Sequence, residues 1–212
     1  MPYANHFFMK SITDLPDILV QALESKWEAF EQSCAQHKIS LPPDPQTLQV
    51  LQRVFAFSDF VAENCIRHPA LISDLIESGD LQRSYSQHHF SEMLKSALID
   101  VKDEAALIQI LRVFRRREMT RIAFRDLAGW SNFAETVSDL SNLADTCLEQ
   151  TALILYAGLS EKFGAPTAED GTPQLLVILG LGKLGAQELN FSSDIDLIFT
   201  YPQAGHTRGT SQ

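Results

Sequence analysis

Between Leu175 and Tyr201 the chain reads LLVILGLGKLGAQELNFSSDIDLIFTY, and this stretch constrains the fold more than any other. LLVIL is apolar throughout, too short for an ordinary helix and bounded by glycine, which is the pattern of a buried strand. Gly180, Gly182 and Gly185 follow, then KLGAQELN as a short helix, FSS as a turn and DIDLIFTY as a second strand. In that strand Asp194 and Asp196 alternate with Ile195 and Leu197. A period of two places both carboxylates on one face and the apolar side chains on the other. Neighbouring carboxylates repel unless a positive charge lies between them, and a hard cation with oxygen ligands meets that need.

GLGKLG also fits G-x-G-x-x-G, the dinucleotide fingerprint, when it lies between a strand and a helix. In that arrangement an acid stands about 20 residues on, where it reaches a ribose hydroxyl. Here the acids come sooner, are paired and open the second strand, while its end, Thr200-Tyr201-Pro202, supplies none. A glycine turn that admits phosphate, followed by D-x-D at the start of the next strand, is the nucleotidyltransferase arrangement. Asp194 and Asp196 are then the catalytic metal ligands. Gly180 and Gly182 let the backbone approach a phosphate, with free N–H groups where the helix begins, and Lys183 adds a positive charge. Ser192 and Ser193 either donate hydroxyls to the nucleotide or close the turn with local bonds.

The stretch GLGKLGAQELNFSSDIDLIF closely resembles the bifunctional glutamine synthetase adenylyltransferase/adenylyl-removing family of bacteria. Many nucleotidyltransferases carry Gly-Ser or Gly-Gly at the turn; Gly182-Lys183 departs from that wider pattern and agrees with this family. RVFRRREMTRIAFRDLAGW and TVSDLSNLADTCLEQ, upstream, resemble the family's N-terminal half. The resemblance implies an α+β fold: a mainly α-helical N-terminal bundle, then the first strands of a polymerase β-like nucleotidyltransferase palm. It implies an N-terminal unit that removes AMP from a tyrosine of glutamine synthetase by phosphorolysis, with a second unit that adds it. Mg²⁺ or Mn²⁺, ATP or ADP and inorganic phosphate are the implied ligands. Glutamine synthetase is the implied protein substrate, and a PII-type signalling protein is admitted as a regulator. The family's third carboxylate lies on a later strand, beyond Gln212. The chain therefore reads as the N-terminal part of a longer enzyme and is expected to be inactive alone.

The net charge of −10 argues against general nucleic-acid binding, which needs a basic surface. Three scattered cysteines make no disulfide framework and point to a reducing compartment. MPYANHFFMK has no long apolar core, and no run of about 18 apolar residues follows, so neither a signal peptide nor a membrane span is expected. The expected location is the cytoplasm.

From Thr13 to Gly164 the pattern is helical, giving a helical domain over 1–164, a polar connector over 165–174 and the start of an incomplete nucleotidyltransferase domain over 175–212. Asp14 and Pro16, then Asp44 and Pro45, mark helix starts; Pro42-Pro43, Gly79, Gly129 and Gly164 mark stops. Trp27, Phe30, Phe55, Phe114 and Leu140 are the expected core. The pairs Cys34/His37 and Cys65/His68 lie on or at the ends of helices and read as buried thiols with ordinary histidines, not as a zinc site. Arg112, Arg115, Arg116, Arg117, Arg121 and Arg125 crowd one helix. They read as a solvated basic face, with Glu118 and Asp126 as local partners, or as a stripe facing carboxylates or phosphates. A different class of function, a helical module that recognises glutamine synthetase or a regulator beside a vestigial site, fits the same pattern. Bound Mg²⁺ or Mn²⁺ separates the two.

Overall fold

The computed structural model describes residues 15–86 and 88–209. Among the described residues seven helices precede Gly164: α1 (Asp17–His37), α2 (Pro45–Phe57), α3 (Asp59–Arg67), α4 (Ala70–Glu77), α5 (His89–Ala97), α6 (Glu104–Leu127) and α7 (Phe133–Phe163). After it come β1 (Thr167–Ala168), β2 (Val177–Gly180), the single turn α8 (Gly182–Gly185), β3 (Leu197–Thr200) and β4 (Gly205–His206). Among the described residues no strand precedes Gly164, so the expected α+β order holds. β2 and β3 form an antiparallel hairpin, and β1 pairs with β4 in a separate two-stranded sheet. The tail after Tyr201, which lacks a strand pattern, thus contributes β4, held by backbone pairing of Gly205 and His206 to the connector. No helix among the described residues is long and apolar enough to cross a membrane.

Local chemistry sets the helix ends. Asp44 Oδ2 accepts the Thr47 backbone N–H at 2.7 Å with Pro45 at the first helical position. Ser58 Oγ accepts the Val61 N–H at 3.1 Å, so the helical run divides there into α2 and α3. Asn132 Oδ1 accepts the Glu135 N–H at 2.9 Å and caps α7. Each satisfies an N-terminal donor that the helix itself cannot. The start signal at Asp14 lies outside the described residues; Pro16 is the N-cap of α1 and Asp17 its first-turn acid.

By compactness the chain forms two units, Met1–Ser84 with Val113–Thr136, and Tyr85–Arg112 with Val137–Gln212. In the first, Phe30 and Phe55 are fully buried and meet edge to face at 5.3 Å, with half-buried Trp27 against both. Cys34, Val61, Cys65, Ile72, Leu75 and Phe124 are further members of this core. Phe114 and Leu140 are buried but belong outside that cluster. Burial pushes the Cys65 thiol up to about 12, so it is a packing group and not a nucleophile.

The arginine helix meets its two sequence expectations in part: Arg117 and Arg125 face carboxylates, Glu118 among them, whereas Arg121 is buried against backbone carbonyls. Arg112 and Arg115 are exposed, as on a solvated face. Arg121 and Arg125 are 0% and 1% exposed. Arg121 Nε donates to the Asp80 carbonyl at 3.0 Å and its Nη2 to the Arg83 carbonyl at 2.6 Å. Arg125 Nη1 donates to the Leu81 carbonyl at 2.7 Å, and its Nη2 to the Trp130 carbonyl at 3.1 Å and Glu135 Oε1 at 2.6 Å. Residues 80–84 follow α4 without regular structure, so their carbonyls have no ladder partners, and the guanidiniums supply the donors. One turn earlier Arg117 binds Asp74 at 2.6 Å, Asp80 at 2.7 Å and the buried Glu118 at 2.5 Å. Asp126, expected to pair with the arginines, accepts from Thr136 Oγ1 at 3.0 Å.

Two outcomes follow from this network. Arg125→Ala should lower the unfolding free energy by about 3–5 kcal/mol by leaving buried acceptors unpaired, whereas Arg115→Ala should change it by no more than about 0.5 kcal/mol; denaturant titration measures both. Burial alone would raise the Asp80 carboxyl, but hydrogen bonds from Arg117, Arg83 and Ser78 outweigh it and hold the group well below the usual carboxylate range. A depressed folded-state value means this stabilisation is complete above the unfolded aspartate value, near about 4, and is lost as pH falls below it. Between pH 5 and pH 3 (about one unit either side of that value) the wild type should therefore lose more stability than Asp80→Asn, measured by denaturant midpoints.

Candidate functional site

The glycine turn takes its shape from two positions. Gly182 has φ +56°, a conformation L side chains rarely adopt, and begins α8 immediately after β2. At Gly185 a Cβ would lie 2.4 Å from the Gly180 carbonyl oxygen, so only glycine lets α8 fold back against the end of β2. The helix expected over KLGAQELN is shorter than its composition suggests. Only Gly182–Gly185 is helical; Ala186 and Gln187 turn, and the chain reaches Asp194 without regular structure.

β3 begins at Leu197, one residue after the D-x-D pair, but pairing with the glycine turn reaches further back. The Leu181 N–H donates to the Asp196 carbonyl at 2.9 Å, extending the hairpin beyond Gly180↔Leu197. Val177 faces Thr200 and Leu179 faces Ile198 on one side of the hairpin, with Ile178–Phe199 and Gly180–Leu197 on the other. Asp194 and Asp196 are both exposed, and the Asp196 backbone stands beside the glycine turn through its bond to Leu181. A cavity of about 290 Å³ is lined by Ile178, Gly180 and Leu184 together with Leu148 and Leu153 of α7.

The remaining expected site residues sort as follows. Gly180, Gly182 and Lys183 lie in the turn, with Lys183 exposed. The Ser193 hydroxyl donates to Asn190 Oδ1 and its N–H to the Asn190 carbonyl, so this serine closes the turn before the aspartates. Ser192 is exposed in the same turn. Among the described residues no three His, Cys, Asp or Glu side chains gather as around a metal ion. Asp194 and Asp196 would offer a cation two carboxylates. That fits a small hard cation, which takes one or two carboxylates and completes its shell with water and phosphate oxygens.

The segment between the turn and the aspartates is held by residues that sequence reasoning passed over. Ser141 Oγ of α7 donates to the Val137 carbonyl at 2.8 Å and accepts the Leu189 N–H at 3.1 Å, with both Ser141 and Leu189 buried. Asp145 Oδ2, one turn on, accepts Gln187 Nε2 at 2.9 Å. Their only trace in the sequence is a Ser and an Asp four apart on a helix, a spacing common to any solvated face.

The chain is 43% identical over 203 residues to the bifunctional glutamine synthetase adenylyltransferase/adenylyl-removing enzyme of Nitrosococcus oceani, covering 95% of this chain and 21% of that protein. Its counterpart in Thioalkalivibrio sulfidiphilus is 43% identical over 199 residues, and that of Shewanella loihica 41% over 195 residues. The chain thus spans about a fifth of the length of the curated relatives it matches. Residues 48–212, which include the arginine helix, the glycine turn and both aspartates, match the family model for glutamate-ammonia ligase adenylyltransferase, and the chain belongs to that family.

Proposed function

We propose that this chain carries the N-terminal nucleotidyl-transfer site of a cytoplasmic enzyme that regulates glutamine synthetase, and that this site removes AMP from the adenylylated tyrosine. Support comes above all from one juxtaposition: the exposed Asp194 and Asp196 lead into β3, and the Asp196 carbonyl is bonded to Leu181 in a turn that depends on Gly182 and Gly185. The hairpin would then be the first part of a nucleotidyltransferase palm. The names of the relatives pair an adenylyltransferase with an adenylyl-removing activity, and the matched segment is a fifth of their length.

In the removal reaction an oxygen of inorganic phosphate attacks the adenylyl phosphorus. The bond from phosphorus to the tyrosine oxygen breaks, its electron pair leaves on that oxygen, and a proton restores the phenol; the products are ADP and tyrosine. Asp194 and Asp196 would hold Mg²⁺ or Mn²⁺, which when bound supplies positive charge to the phosphate oxygens and the leaving oxygen. Lys183 adds a fixed positive charge on the turn, and the glycines let backbone N–H groups come close to a phosphate. The Ser192 hydroxyl is available as a further donor, whereas Ser193 already donates to Asn190. Glutamine synthetase is the protein substrate in this scheme, and a PII-type signalling protein is a proposed regulator.

The test is made in the full-length protein, with adenylylated glutamine synthetase and phosphate as substrates. Asp194→Asn and Asp196→Asn should each reduce ADP release by about a hundredfold or more while leaving transfer of AMP from ATP intact. Unchanged ADP release would remove the two aspartates from the reaction and favour an interaction module with a vestigial site. Loss of AMP transfer with ADP release intact would assign this site to the opposite half-reaction.

A further inference from the structure

We propose that Ser141 and Asp145 of α7 are positioning residues that hold the segment joining the glycine turn to Asp194 and Asp196, and so set the geometry of the paired carboxylates. Their role depends on those aspartates being the cation-binding pair proposed above. Residues 186–193 contain no helix or strand; bonds from Ser193 to Asn190 close a turn at the end of the segment, and the part before Asn190 is tethered by partners outside it. Two such partners lie one helical turn apart on α7, where side chains at i and i+4 share a face. The buried Ser141 hydroxyl, already donating to Val137, accepts the buried N–H of Leu189 at 3.1 Å. Asp145 Oδ2 accepts the side-chain amide of Gln187 at 2.9 Å, and the same amide donates to the Leu184 carbonyl of α8 at 3.1 Å.

Gln187 carries a second sign of constraint. Its φ is +59°, a left-handed conformation that a non-glycine residue holds only where its surroundings over-determine it. The bond to Asp145 is one such determinant. Gln187 stands directly after the turn that closes on Gly185, and Leu189 five residues before Asp194. Both tethers therefore act between the phosphate-facing turn and the carboxylates, whose separation decides whether one cation and one phosphate can be held together. Neither Ser141 nor Asp145 needs to touch substrate; each acts through the backbone it anchors, as outer residues orient metal ligands elsewhere.

The test titrates Mn²⁺ into the 212-residue chain, reading free Mn²⁺ by electron paramagnetic resonance, and follows amide hydrogen exchange across 186–193 without metal. Ser141→Ala and Asp145→Ala should speed exchange in that segment and weaken Mn²⁺ binding about tenfold, while Asp145→Asn should stay within about twofold of wild type. Asparagine keeps an oxygen for Gln187 Nε2 but removes the charge, so it separates tethering from electrostatic attraction. Asp145 is exposed, so its two variants carry the test even if Ser141→Ala fails to fold. Wild-type binding in Asp145→Ala would overturn the role. Equal weakening in Asp145→Ala and Asp145→Asn would overturn it in favour of a charge effect. Mn²⁺ binding that is absent from the wild type, or that survives Asp194→Asn with Asp196→Asn, would instead overturn the cation site itself, and the positioning role with it.

Discussion

The close approach of the Gly180 carbonyl to Gly185 is the contact on which the site's arrangement depends. A β-carbon at Gly185 would stand 2.4 Å from that oxygen, far inside any real contact, so α8 could not turn back on β2 with another residue there. With the turn closed, Leu181 can donate to the Asp196 carbonyl, and the hairpin register follows down to Val177↔Thr200. The pairing that aligns β2 with β3 is thus the same pairing that brings D-x-D to the turn. A single steric requirement links strand register to the placement of two charges.

The helical portion solves a different problem. An irregular stretch such as residues 80–84 leaves backbone carbonyls that must be satisfied if they are buried. Arg121 and Arg125 satisfy them from one face of α6, and Arg125 also pairs with Glu135. Planar guanidiniums with several donors suit this better than lysine, which presents a compact charge on a flexible stem. What looks in composition like a cationic surface is in part an internal set of hydrogen-bond donors. Asp80 joins the two kinds of bonding, offering its carbonyl to Arg121 and its carboxylate to Arg83 and Arg117.

Legibility in the sequence followed the range of the interaction. Features decided within a few residues could be read directly: the helix start at Asp44, the glycine stops, and the strand–turn–strand order around Gly182. Features decided by distant partners could not. The burial of Arg121 depends on carbonyls about forty residues earlier, in a segment with no periodic pattern to announce it. The Ser141–Leu189 and Asp145–Gln187 bonds join positions 48 and 42 residues apart. β4 exists because the tail has a backbone partner in the connector, not because its own side chains favour a strand. Ser193 was ambiguous in sequence because a hydroxyl serves equally in a turn or toward a ligand; its bond to Asn190 favours the turn.

The central claim is that Asp194 and Asp196 hold a divalent cation beside the turn formed by Gly182 and Lys183. Paramagnetic relaxation by trace Mn²⁺, mapped residue by residue in the amide spectrum of the chain, tests it most directly. The account predicts that the amides of Asp194 and Asp196, and those of Gly182 and Lys183, broaden first and together, and that excess Mg²⁺ restores them. Broadening spread evenly over the other carboxylates of this acidic surface, with the Asp194–Asp196 amides unaffected at the same Mn²⁺ concentration, would contradict it.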